Sequence, residues 1–302
     1  FGAALMLGVA FAATIGGIGS LIGTPPNAIF AAHLAETYGK TIGFAQWAAI
    51  GLPAAIVLLA LAWLVLARLT PGIERKDLDR SFGRQLDSAR AAERRVAIVA
   101  GLTAVAWISR PLLDWAFPAL ELTDAGIAML AALALFLTPN GEGERLLDWE
   151  SAATLRWDVL VLFGGGLALA GILHETGLAA WIGGQVQRLE HLPELALLLI
   201  IAALIVYIGE LASNTAMAAI FLPIAGAMAS SLNVDPVLFM LPVALSASVG
   251  FMLPVATPPN AIVFGNPLVT RENMLRAGAP LDVIGIFICV GISYALGAVF
   301  FP

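Results

Sequence analysis

Gly23-Thr24-Pro25-Pro26-Asn27-Ala28-Ile29-Phe30 and Ala256-Thr257-Pro258-Pro259-Asn260-Ala261-Ile262-Val263-Phe264 repeat one phrase, with their threonines 233 positions apart. Each copy follows an apolar run long enough for a helix, residues 2–22 before the first and 236–256 before the second. Two adjacent prolines remove two N–H donors, and each bars the residue before it from helical backbone. The phrase therefore breaks whatever helix carries it. One such pair alone would suit a simple kink. Two copies of Thr-Pro-Pro-Asn-Ala-Ile, each after an equivalent apolar run, point to an internal structural repeat.

The surroundings fix the medium. Of 302 residues, 60% are hydrophobic and 12% charged, against about 25% charged in a soluble domain. That much apolar surface needs lipid as its solvent. A membrane span takes about 20 apolar residues. Besides the two runs above, residues 45–68, 96–115, a shorter 124–138, 158–185 (interrupted by Gly164-Gly165-Gly166), 194–212, 216–231 and 280–301 are candidates. The fold class expected is an all-α polytopic membrane protein. Cys289 is the single cysteine, which rules out an intrachain disulfide. Phe1 already lies in an apolar run with no basic region before it, so the chain is expected to begin partway through a longer protein.

Inside hydrocarbon a broken helix persists only where protein, water or ligand satisfies the freed backbone. Freed carbonyls suit Na⁺. A helix resuming at the asparagine would present N–H groups and its positive dipole end, which suits an anion. A second polar interruption, Ser213-Asn214-Thr215 after Gly209-Glu210-Leu211-Ala212, offers hydroxyl and amide donors to a carboxylate and oxygens to a cation. Interhelical hydrogen bonding by Ser and Thr is its blander use; the duplicated break elsewhere in the chain favours a ligand site. Neither motif holds Lys or Arg. Positive charge for a dianion must then come from helix dipoles and an adjacent Na⁺, which points to cation symport.

Basic residues orient the chain. The polar stretch 69–95, read as an amphipathic linker, has Arg68, Arg75, Lys76, Arg80, Arg84, Arg90, Arg94 and Arg95 in or beside it, and is placed in the cytoplasm. If residues 194–231 enter and leave on one side as a re-entrant hairpin or tight helix pair, twelve basic residues fall inside. Lys40, Arg110 and Arg188 fall outside, and the C-terminus is outside. A single crossing there would leave ten against five. With the hairpin, the two broken helices run in opposite directions. This is the pattern of an inverted repeat, whose substrate site lies at mid-membrane where broken helices meet.

Glu210-Leu211-Ala212-Ser213-Asn214-Thr215, Phe251 through Phe264, Ile15-Gly16-Gly17 with Gly23-Thr24-Pro25-Pro26-Asn27, and Phe163-Gly164-Gly165-Gly166 together resemble the divalent anion:sodium symporter family. The likeness extends over essentially the whole chain. It implies a homodimer in the plasma (inner) membrane with a scaffold and a mobile transport domain, elevator-like alternating access, and carriage of C4 dicarboxylates, citrate-like tricarboxylates or sulfate with Na⁺. No cofactor other than the coupling Na⁺ and no nucleic-acid partner is implied. Residues 1–38 would be the broken helix of the first repeat and 45–68 the span ending it. Residues 69–95 would be the linker, 96–138 scaffold helices, 158–264 the transport part of the second repeat and 280–301 the last span. Carried over by motif, Ser213, Asn214, Thr215, Thr257, Pro258, Thr24 and Pro25 would contact substrate. One Na⁺ would use Ala212, Ala256 and the Asn214 amide oxygen, with Gly209 beside them, and another would use Gly23.

Two departures qualify the resemblance. Ser213 precedes Thr257 by 44 residues, and the same spacing from Thr24 places a first Ser-Asn-Thr tip before residue 1. Gly209 stands four before Ser213, where family members can carry a sodium-binding hydroxyl. Other residues carry weaker expectations. Glu210, an acid near mid-membrane, could hold a cation or pair with the neighbouring half. The three glycines 164–166 suit close packing. His174 could relay protons but suits an interfacial place better, and His33 and His191 read as surface residues. Trp107, Trp115, Trp149, Trp157 and Trp181 suit interfacial belts. Rival readings of the same fold are a proton-coupled or exchange-type carrier. More remote is an ion channel. An intramembrane enzyme is disfavoured by scattered histidines and the lack of an HExxH or GxSxG motif.

Overall fold

The computed structural model describes residues 2–69, 91–117, 122–141, 143–154 and 192–300, with short pieces of one to four residues between 161 and 181. Most of the 69–95 linker, together with Phe163, Gly166, His174, His191, Trp157 and Arg188, lies outside the described residues. The described chain is helical: α1 (Gly2–Ile18), α2 (Pro25–Tyr38), α3 (Phe44–Leu69), α4 (Ala91–Ala116), α5 (Asp124–Leu137), α6 (Trp149–Ala153), α7 (Glu194–Gly209), α8 (Asn214–Ser231), α9 (Pro236–Ser246), α10 (Pro258–Phe264) and α11 (Arg271–Phe300). Four of these, over Phe44–Arg68, Ala92–Ala116, Asn214–Ser231 and Arg271–Gly297, are long and apolar enough to cross a membrane.

The helix ends follow local chemistry. Gly39 adopts φ 65° and closes α2, its N–H donating to the Ala35 carbonyl; a left-handed residue there is cheapest as glycine. Asp235 caps α9 by accepting from Val237 N at 2.9 Å, with Pro236 in the first turn, where the missing N–H costs nothing. Thr123 caps α5 through Gly126 N at 3.0 Å.

Two compact units cluster separately. One holds residues 1–42, 46–72 and 158–302; the other holds 43–45 and 73–157. In the smaller unit, Asp124 accepts from Phe44 N at 3.0 Å and pairs with Arg110 at 2.9 Å, while Phe44 stacks on Trp107. Helix α4 exposes Leu102, Val105 and Leu112 by more than half.

The larger unit has α9 at its centre. Phe239, Met240, Leu241, Pro242, Val243, Ala244, Leu245 and Ser246 are all buried, as expected of a helix that is apolar all round. It packs on α2, α7, α8 and α11. The contacts of the two broken helices are reciprocal: α1 lies on α10, and α9 lies on α2. The first half of each broken helix thus packs on the second half of the other.

Two expectations change. The helices before the prolines end earlier than their apolar runs, at Ile18 and at Ser246. They resume at Pro25 and Pro258 rather than at the asparagines. Proline fits the first helical positions, so the pair starts a helix more readily than it ends one. His33 is buried rather than at the surface. It lies on the face of α2 that carries Ile29 and Phe30, bonds Thr37 Oγ1 through Nδ1 at 3.2 Å and meets the Tyr38 ring edge-on.

Candidate functional site

Both breaks share one local design. Thr24 and Thr257 sit at φ −138°, ψ 147° and φ −137°, ψ 148°, each just before the paired prolines. The Asn27 side-chain amide donates back to the carbonyls of Gly17 (3.2 Å) and Ser20 (2.9 Å). The Asn260 amide donates to Gly250 (3.0 Å) and Leu253 (3.2 Å). The offsets, ten and seven residues back, are identical. Each asparagine therefore ties the start of its own helix back to two carbonyls of the preceding stretch. Glycine is required where the chain doubles back: a Cβ on Gly23 would stand 2.2 Å from the Gly17 carbonyl oxygen.

The second break has additional support. Glu210 is 1% exposed and accepts from Met252 N (2.9 Å) and Leu253 N (2.7 Å). Asp282, fully buried on α11, accepts from Phe251 N at 3.0 Å. Three successive amides of the unwound stretch are thus held by two acidic side chains. Of the two uses open to Glu210, both of its oxygens serve the neighbouring half. In the first break, Trp47 Nε1 of α3 donates to the Ile18 carbonyl at 2.9 Å.

The structure brings some of the sequence-derived residues together. Thr24 Oγ1 lies 3.0 Å from Ser248 Oγ, and Thr14 Oγ1 donates to Thr257 Oγ1 at 3.4 Å, so the two breaks touch. A Cβ on Gly250 would lie within 4 Å of Ala256, Glu210 and Thr257 side-chain atoms, which places the 209–214 turn beside the second break. Thr257 and Ala256 are buried, Pro258 is exposed, and Thr24 and Pro25 are half-buried.

The start of α8 differs from both restarts. Ser213 occupies the N-cap, is exposed, and its hydroxyl caps nothing. The N–H groups of Asn214, Thr215 and Ala216 make no hydrogen bond to the described residues. Open N–H groups at the positive end of an 18-residue helix suit an anion. At α2 and α10 the prolines supply no N–H, and the Asn27 and Asn260 amides already donate to the Thr24 carbonyl (3.2 Å) and Thr257 Oγ1 (3.4 Å). Within the first three helical positions there no N–H is open, and the threonine hydroxyls are the nearest donors.

Cation chemistry has its own mark. Asn214 Oδ1 is buried with no hydrogen-bond partner among the described residues. It lies 3.3 Å from where a Gly209 Cβ would be, so the glycine leaves open space beside it. A buried carbonyl-type oxygen without a donor fits a hard cation such as Na⁺. Sequence reading missed Asp282, Trp47, Thr14 and Ser248. Asp282 alone carried a usable signal, as the one acid within the apolar run 280–301.

Apolar spans around two mutually packed broken helices, with hydroxyl donors and an orphaned amide oxygen at the breaks, define a multi-pass membrane protein of the transporter class. The sodium:sulfate symporter transmembrane region family model matches residues 1–301, and the chain belongs to the divalent anion:sodium symporter family, whose members are transporters rather than enzymes. It is 40% identical to the sodium-dependent dicarboxylate transporter SdcS of Staphylococcus saprophyticus, over 98% of this chain and 59% of that protein. It is 36% identical to the SdcS of Staphylococcus aureus strain NCTC 8325, over 97% of this chain and 58% of that protein. The chain spans about three-fifths of the length of these curated relatives.

Proposed function

We propose that the protein containing this chain is a secondary transporter that couples Na⁺ entry to uptake of small divalent anions, first among them the C4 dicarboxylates succinate, malate and fumarate. The observation carrying this reading is the start of α8. There, open N–H groups suited to a carboxylate adjoin the orphaned Asn214 Oδ1, suited to a cation. Anion and Na⁺ placed side by side neutralise each other between motifs that hold no Lys or Arg, so each favours the other's binding. Ser213, Asn214, Thr215, Thr24, Pro25, Thr257 and Pro258 contact the anion in this reading. Asn214, Gly209, Ala212 and Ala256 serve one Na⁺, and Gly23 serves another. The names of the relatives favour dicarboxylate; the family description makes sulfate the second candidate.

Further parts of the reading are an inverted repeat, elevator-type movement of the broken-helix part against a scaffold containing 96–138, a homodimer, and a cytoplasmic 69–95 linker. The reciprocal packing of α1 on α10 and α9 on α2 supports the first of these.

The test is uptake of labelled succinate by liposomes holding the full-length protein, with an inward Na⁺ gradient against K⁺, beside Asn214→Ala. Uptake that needs Na⁺ and falls at least about tenfold in the variant is expected, because the variant removes an oxygen bound to a charged partner. Uptake indifferent to Na⁺ but driven by a pH gradient or internal dicarboxylate would sink the sodium coupling. Na⁺-driven flux of sulfate or citrate alone would replace the substrate, and flux of none would overturn the reading.

A further inference from the structure

A hydroxyl has one proton to donate and two lone pairs to accept with. Thr257 Oγ1 accepts from Asn260 N at 3.4 Å and from Thr14 Oγ1 at 3.4 Å. Both acceptor positions are engaged, so its own proton is left to point at something else. Thr257 is 4% exposed and Thr14 7%, so water does not compete for these groups. Thr24 caps nothing with its side chain and has Ser248 Oγ at 3.0 Å, with Ser248 only 2% exposed. That pair can run in either direction. With an anion facing Thr24, only donation from Ser248 to Thr24 leaves the Thr24 proton free for the anion.

We infer that Thr14 and Ser248 are positioning residues of the anion site, each turning the hydroxyl proton of the other broken helix's Thr-Pro-Pro-Asn threonine outward, toward the ligand. Thr14 lies on the first broken helix and serves Thr257 on the second; Ser248 lies on the second and serves Thr24 on the first. The prolines make this necessary. With no N–H at the first two helical positions, and the third taken by the threonine or its carbonyl, the hydroxyl is the donor nearest the start of each resumed helix. Chained hydroxyls also polarise one another, so a threonine that accepts is a stronger donor. Neither residue touches the ligand in this scheme, and both act through the threonines.

The inference rests on the reading that Thr24 and Thr257 face an anion, and the experiment separates the two. Initial uptake rates of labelled succinate and sulfate are measured at saturating Na⁺ for the full-length protein, for Thr14→Val and Thr14→Ser, and for Ser248→Ala and Ser248→Thr. Melting temperatures in detergent are recorded alongside. Thr14→Val keeps the shape and loses the hydroxyl. It is expected to raise KM about three- to tenfold, the worth of one ordinary hydrogen bond between neutral groups, with kcat within about twofold and little change in melting temperature. Thr14→Ser restores the KM. In a Thr257→Val background, Thr14→Val has no further effect, because the hydroxyl it acts through is gone. Ser248→Ala and Ser248→Thr repeat the pattern at Thr24. An unchanged KM in Thr14→Val and Ser248→Ala, with the wild type active, overturns the inference and leaves the transport reading standing. So does a KM effect that persists in the Thr257→Val background, or one that follows a fall in melting temperature. An inactive wild type with every anion overturns the reading and the inference with it.

Discussion

The two breaks begin alike and are finished differently. In both, a threonine holds the same backbone angles, prolines start the next helix, and an asparagine reaches ten and seven residues back for two carbonyls. The first break occupies 19–24 and the second 247–257. The shorter one needs only an indole N–H from Trp47 for the Ile18 carbonyl. The longer one leaves amides 251–253 unpaired by helix, and Glu210 and Asp282 supply acceptors from two other segments. The repeated sequence thus encodes the restart of a helix. The length of unwound backbone is set by what neighbouring helices provide, because each buried unpaired group costs about 1–3 kcal/mol.

The comparison breaks most visibly at Glu210. Glu210→Ala orphans two half-buried amides, and a loss of about 2–4 kcal/mol of stability is expected, read as a large fall in the melting temperature of the purified protein. A variant as stable as the wild type would show that the second break does not depend on its acid. The shared part is probed by Asn27→Ala and Asn260→Ala, each expected to cost about 1–3 kcal/mol. Similar costs measured by thermal unfolding support one common clamp, whereas a several-fold disparity would mean that the duplicated geometry does not carry duplicated energy. The smallest effect is expected for Trp47→Phe, which keeps the ring and drops one donor, at about 1 kcal/mol. If that variant matched Glu210→Ala in melting temperature, the contrast between the breaks would be lost.

The sequence made the positions of the breaks legible, because paired proline has few uses in an apolar helix. Their extents were hidden. Leu21, Ile22, Val249 and Phe251 look no different from residues of the preceding helix, and the asparagine amide that holds each unwound stretch reaches back from the far side of the prolines. Ser213-Asn214-Thr215 was legible as a polar interruption, though its non-helical part is the preceding Glu210-to-Ser213 turn, with Asn214 already in α8. Glu210 stood out as a mid-membrane acid, but its partners are 42 and 43 residues away. His33 was misplaced because a single histidine in a helix carries no sign of which face is covered. Thr14 and Ser248 could not be found from pattern, since an isolated Thr or Ser in an apolar helix usually bonds its own helix.

The hydroxyl contacts also bear on how the protein is made. Thr14 meets a residue 243 positions later, and Thr24 one 224 positions later. At about 5–20 residues per second of synthesis, the first broken helix precedes its partner by roughly 10–50 s. During that interval its unwound carbonyls have only what the nearby chain can offer. The Asn27 amide, seven and ten residues from its acceptors, is available as soon as α2 emerges. The local clamp is therefore also what lets a newborn half-site wait in lipid for the half that completes it.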